Sequence, residues 1–369
     1  MQALTVDKGD TAWMLISTIL VLMMTLPGPA RFYGGLVRSK NMLSILSQVL
    51  GITAVAILVW VGWGYSLAFA EGSALVGGLS KAFLGGIGPA SAVPTFTRGA
   101  GIPELVFAAF QMTFAAITAS LIVGALAERV KFGAIMLFTA IWLTLVYAPL
   151  AHMVWAAGGL IFAIGALDFA GGTVVHINSG VAGRVGVFFA GKRIGFLKEA
   201  TPPHSLAPTL VGAGLLGVGW FGFNAGSALE ASGLAAVAMV NTFVAPAAGV
   251  LTWMLIERLV SGKLSLLGGA SGGLAGLVAV TPVAGTSGPL GAMAVALAAA
   301  CVCYGVVALV NHRLRIDDTL DVLGIPGLGG IVGSLGTVVV AAPALGGYGA
   351  AIMRGSTRRS SSLPRSRSP

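Results

Sequence analysis

The sequence predicts an all-α polytopic membrane protein, and three observations carry that prediction. Charged residues make up 9% of the chain and hydrophobic ones 56%, where a soluble domain carries about 25% charged residues. Apolar runs follow one another along the chain, each near the roughly 20 residues needed to cross a hydrocarbon core. The 55 glycines would weaken soluble helices, but in a membrane they let helix backbones approach closely.

Reading the apolar runs between charged or Pro/Gly-rich breaks predicts ten spans: 11–33, 42–70, 103–126, 132–152, 174–190, 206–225, 231–256, 265–281, 288–310 and 325–342. The first follows the polar, acidic stretch Met1–Asp10, which lacks the basic n-region of a signal peptide, so the run is expected to stay as a helix. The segment 153–173 is apolar but interrupted by Gly158, Gly159, Gly165, Gly171 and Gly172, and is expected as a loop dipping toward the bundle.

Lys and Arg set the orientation, because loops on the cytoplasmic side retain them. Arg31, at the end of the first span, and Arg38, Lys40, Arg129, Lys131, Lys192, Arg193, Lys198, Arg258, Lys263, Arg313 and Arg315, after odd-numbered spans, all fall on one side. Only Lys8, Lys81 and Arg98 fall on the other side before the tail, which predicts an N-terminus outside. The net charge of +9 therefore reads as topology. With no basic face, nucleic acid is not expected as a partner. The Ser/Arg-rich stretch 343–369 breaks the charge rule and is expected to be disordered.

An ungapped comparison of the fifth and tenth spans exposes a repeat. Gly180, Gly183 and Gly186 stand four, seven and ten residues after His176; Gly330, Gly333 and Gly336 stand at the same offsets after Pro326. Five spans separate the two, an odd number that reverses direction, as in inverted-topology transporter repeats. The first repeat covers about 11–190 and the second about 206–342 of one transmembrane domain, 1–342, with a central pathway.

A histidine inside a span needs a cavity or a partner, so His176 is either a functional group or a side chain bonded between helices. His152, beside Trp155, is expected to anchor its helix at the membrane interface. His204 and His312 are placed in loops without a role. Asp168 lies eight residues before His176 and Asp321 five before Pro326; an acid this close to the membrane either contacts a cation or caps backbone amides, and Asp168, flanked by glycine, suits the cap. Phe110, Phe114, Trp155 and the run Trp220, Phe221, Gly222, Phe223 ending at Ser227 serve either as an interfacial aromatic belt or as cation-attracting π-faces with a hydroxyl acceptor. No phosphate loop, HExxH or GxSxG motif is present, so no enzyme and no cofactor is expected. Cys301 and Cys303 sit in an apolar run and are expected to pack; no metal site is expected.

These residues resemble those of the ammonium transporter (Amt/Rh) family. The resemblance rests on PGPARFYGGLVRSKN from Pro27, GYSLAF from Gly64, VGALAERVKF from Val123 and PLAHMVW from Pro149. It continues with GALDFAGGTVVHIN from Gly165, GWFGFNAGS from Gly219 and RIDDTLDVLG from Arg315. It implies a homotrimer of eleven-helix subunits in the cell membrane, each with its own pore for ammonium or methylammonium. Phe114, Trp155 and Ser227 then match the recruiting site, and Phe110, Phe114 and Phe223 the phenyl gate. Trp220 and His176 line the pore, and Asp168 and Asp321 support it.

Two departures qualify the expectation. Pro326 stands where the family has its second pore histidine, and a proline offers no side-chain donor or acceptor. This predicts impaired conduction by ammonia plus a separate proton, and keeps a non-conducting ammonium sensor or an inactive truncated homologue as alternatives. From about Met353 the family's eleventh helix is expected to be absent, which predicts weak docking of a PII-type regulator through Lys192, Arg193, Arg258 and Lys263.

Overall fold

Nine helices among the described residues are long and apolar enough to cross a bilayer. They are seen in a computed structural model that describes residues 4–199, 202–343 and 346–348. The short strand β1 (Thr5–Val6) leads into α1 (Lys8–Thr25), capped by Asp7, whose carboxylate accepts the Asp10 N–H at 2.8 Å. Pro27 breaks the span, and α2 (Pro27–Leu36) completes it. The second span is α3 (Met42–Val59), a π-helical turn and α4 (Tyr65–Phe69). β2 (Ala92–Pro94) and β3 (Ala100–Pro103) then form a three-stranded sheet with β1, in the order β1-β3-β2.

The remaining helices are α5 (Glu104–Leu126), α6 (Phe132–Trp142), α7 (Ala148–Trp155), the single turn α8 (Leu160–Ala163), α9 (Asn178–Ala190), α10 (Leu206–Gly226), α11 (Gly233–Ser261), α12 (Leu266–Val280), α13 (Pro289–Ala308) and α14 (Leu328–Val340). Eight of the ten predicted spans lie within a few residues of these bounds, and the fourth runs on through α7 into α8. The fifth, 174–190, is not among the nine. It is a six-residue π-helical turn, Gly172–Ile177, continued by the thirteen residues of α9, about 20 Å of α-helix at 1.5 Å per residue. The loop that leads into it is covered by the bundle, with Phe169 and Ala170 buried.

Burial identifies the central helices. The α5 span is 78% buried and the α12 span 67%, against 33–44% for the other seven. Glycine makes this packing close: a Cβ on Gly249 of α11 would overlap the carbonyl of Gly272 in α12, and one on Gly272 would overlap that of Gly249. The predicted inverted repeat has a structural counterpart. The π-helical turn Leu323–Gly327 leads into α14 as Gly172–Ile177 leads into α9, each followed by thirteen helical residues.

The basic loops gather at one end of the bundle. Glu128 pairs with Arg38 at 2.7 Å, and Asp317 pairs with Arg193 at 2.8 Å and Arg129 at 3.3 Å. These pairs tie loops 37–41, 127–131, 191–205 and 314–321 together. Both carboxylates are buried, so the guanidinium partners compensate charge removed from water. Burial pushes the Glu128 carboxyl up, yet hydrogen bonds from the Arg38 and Asn41 side chains and the Arg38 N–H prevail, holding it below its usual pKa. The Ser/Arg-rich stretch from residue 349 lies outside the described residues.

Candidate functional site

Two vestibules penetrate the bundle from opposite ends. The one beside Trp155, about 900 Å³, is lined by Phe110, Phe114, Trp155, Asp168 and Ser227 among others. The one at the basic end, about 180 Å³, is lined by His176, Trp220, Asp321 and Pro326, with Arg38, Glu128 and Arg193 near its mouth.

Aromatic rings stand between them. Phe110 and Phe114 project from successive turns of α5 with centroids 4.8 Å apart. Phe114 stacks on Phe223 of α10 at 4.1 Å, with the planes 9° apart, and both rings are buried. Trp155, at the end of α7, meets Phe114 edge-on at 5.9 Å. Its indole N–H donates to the Asp168 carbonyl at 3.0 Å, which fixes the ring at the vestibule wall. Ser227 donates its hydroxyl to the Phe223 carbonyl at 2.8 Å, leaving the oxygen free to accept. Phe221, in the same aromatic run, turns away and packs on Phe243 at 4.3 Å.

Asp168 acts as the cap that its glycine neighbours predicted. Its two oxygens accept the N–H groups of Gly171, Gly172, Thr173 and Val174 at 2.6–3.1 Å, the donors that a helix start leaves unsatisfied. The group that caps the corresponding turn in the second repeat is Asp318. Asp318 lies eight residues before Pro326, as Asp168 does before His176, and accepts from Val322 at 3.1 Å and Leu323 at 2.7 Å. Asp321 adopts a left-handed backbone, φ 55°, and its carbonyl accepts the Ile325 N–H at 2.8 Å. Equal spacing was the sequence signal for Asp318.

Below the phenyl pair, His176 is fully buried, 5.4 Å from Trp220 and 6.0 Å from Phe223 between ring centroids. Thr281, which the sequence reading missed, organises this level. Its hydroxyl donates to the Leu277 carbonyl and accepts the Trp220 indole N–H at 2.9 Å. Thr281 also faces His176 Nε2 at 3.4 Å. His176 Nδ1 has no protein partner among the described residues. Pro326 lines the same cavity from the opposing turn.

The other histidines make specific contacts or fall in ordered turns. His152 is buried at the end of its span: Nδ1 lies 3.0 Å from the Ala68 carbonyl and Nε2 2.8 Å from that of Ser73, so the ring pins the chain leaving α4. His204 holds a specific contact, Nδ1 lying 2.9 Å from the Val37 carbonyl, and His312 falls within a π-helical turn, Leu309–Arg313.

Residues 12–362 match the profile of the Ammonium Transporter Family. The chain belongs to that family. The family match thus runs past residue 342, the bound predicted for the transmembrane domain. A Bacillus subtilis protein named ammonium transporter is 45% identical over 348 residues, covering 93% of this chain and 83% of its own. The crystal structure of Candida albicans Mep2 superposes with a TM-score of 0.86 at 38% identity, over 95% of this chain and 75% of Mep2. A structure titled Sensor Amt Protein, 26% identical, gives 0.84 over 91% and 84%. The chain is accordingly a multi-pass membrane protein of a transporter family.

Proposed function

We propose that this protein moves ammonium across the cell membrane, with its N-terminus outside and the basic loops in the cytoplasm. The observation that carries the reading is the Phe114–Phe223 stack, which separates a vestibule holding Trp155 and Ser227 from a cavity holding His176. Trp155, Phe114 and Ser227 recruit the cation: π-faces and a lone pair replace part of its hydration shell, worth about 2 kcal/mol or more for a desolvated cation–π contact. Phe110, Phe114 and Phe223 form the gate, whose apolar rings penalise any ion and favour the neutral amine. Trp220 and Thr281 hold His176 in place beside the path, while the proton travels separately.

Asp168 supports the outer side by anchoring the broken helix. The functional unit is a homotrimer in which each chain has its own pore. A PII-type regulator docks weakly at the cytoplasmic face, because Arg193 is turned inward onto Asp317 rather than presented to a partner.

Pro326 favours a second reading. It faces the cavity that holds His176 and supplies no imidazole there, so a two-histidine relay cannot form, and the chain would then bind ammonium as a sensor without conducting it. Uptake of labelled methylammonium into cells lacking other ammonium transporters tests the two. Saturable uptake supports transport; binding to the purified protein without uptake supports the sensor.

A further inference from the structure

The vestibule wall contains a group that the recruitment of a cation leaves unexplained. Among the described residues, Lys81 and Asp168 are the charged side chains that line it. The Asp168 carboxylate is occupied by four backbone N–H groups, so an ammonium-recruiting vestibule carries an ammonium of its own chain. Lys81 Nζ is paired with Glu104 Oε1, the same oxygen that accepts the Tyr65 hydroxyl at 2.8 Å, and lies 5.8 Å from the Tyr65 ring centroid. Glu104 is 7% exposed and opens α5, the helix that carries Phe110 and Phe114.

A buried carboxylate oxygen beside an aromatic face is a cation site in chemical terms, and here a tethered primary ammonium fills it. The Lys81 backbone is held independently: its N–H donates to Ser66 Oγ at 2.9 Å, and that hydroxyl donates to the Gly78 carbonyl at 2.8 Å. The ammonium is therefore not needed to seat the loop.

We propose that Glu104 and Tyr65 form a second monovalent-cation site which the chain occupies with Lys81, and that this masking sets the selectivity of the vestibule. An unmasked carboxylate attracts alkali cations as well as ammonium, because a point charge discriminates poorly between small cations. With Glu104 neutralised, a free cation is drawn by the π-faces and the Ser227 hydroxyl instead. The selectivity consequence rests on the ammonium-transport reading; the existence of the site does not.

The test compares the full-length wild-type chain, Lys81→Met and Lys81→Met/Glu104→Gln. Equilibrium binding of radiolabelled rubidium to purified protein requires no conduction. The expected result is a saturable rubidium site gained in Lys81→Met and absent from both the wild type and the double variant. In uptake assays, Lys81→Met should lower the methylammonium half-saturation about five- to tenfold at low ionic strength, the scale of one unmasked charge nearby. Potassium should compete in the single variant and lose that effect in the double. A merely structural lysine would lower maximal flux and leave potassium competition unchanged. Should Lys81→Met fail to yield monodisperse protein, Lys81→Gln replaces it under the same criteria. No gained rubidium site, or one that persists in the double variant, overturns the proposal. Absent methylammonium uptake by the wild type refutes the transport reading and leaves the rubidium result decisive for the site.

Discussion

Gly180 and Gly327 meet backbone to backbone where the two broken helices cross: a Cβ on Gly180 would overlap the Gly327 Cα. The contact has a symmetric counterpart, since a Cβ on Gly330 would stand 3.1 Å from Ile177 and 3.0 Å from the His176 Cβ. The crossing therefore sets how deeply His176 and Pro326 sit in their shared cavity.

Gly180→Val should lower thermal stability in detergent by about 1–3 kcal/mol or more, because an overpacked crossing must separate. Gly133→Val is the matched control, as nothing lies within 4 Å of its added Cβ. Equal melting shifts in the two variants would show that the crossing tolerates bulk.

Trp155→Leu and Ser227→Ala should raise the methylammonium half-saturation more than they lower maximal uptake. Both groups act before the phenyl pair, and each loss is expected at about 1–2 kcal/mol for a cation–π or hydroxyl contact. Concentration-dependent uptake separates the two parameters, and an unchanged half-saturation in both variants would remove these residues from the recruiting site.

Glu128 should make the basic end sensitive to acid. Its folded pKa lies below the ordinary 4.5 because of its Arg38 and Asn41 partners. Its stabilisation is therefore full above pH 4.5 and lost as pH falls through the depressed folded value. Glu128→Gln should cost about 2–3 kcal/mol at neutral pH, the scale of charge-assisted hydrogen bonds, and melting should then depend less on pH below 4.5. A variant with the wild-type pH profile would refute the linkage.

Pro326→His should raise methylammonium-driven current above that of the native chain, by restoring an imidazole opposite His176. Pro326 also occupies a π-helical turn, so Pro326→Ala separates side-chain chemistry from backbone geometry. Equal gains from alanine and histidine would assign the effect to the turn, and strong current in the native chain would show that a second imidazole is unnecessary.

The sequence alone determined the membrane class and the order of most spans, and it pointed to the matching segments that begin α9 and α14. These follow from one-dimensional properties: apolar length, loop charge and motif spacing. It also predicted that Asp168 caps a helix, because glycine flanks leave amide donors exposed. Other roles depend on which chain segments meet across long sequence separations, and only the tertiary structure decided them. Thr281 joins Trp220 and His176 from 61 and 105 residues away. His152 reaches carbonyls 79 and 84 residues back, so no local pattern could distinguish it from an interfacial anchor. Asp318 caps its turn because capping depends on which carboxylate faces the orphan amides. Lys81 counts as a lone basic residue in the loop arithmetic, and becomes the partner of Glu104 only when the loop folds over the start of α5. A carboxylate, a ring and an ammonium form a site through distance in space, which residue order does not encode.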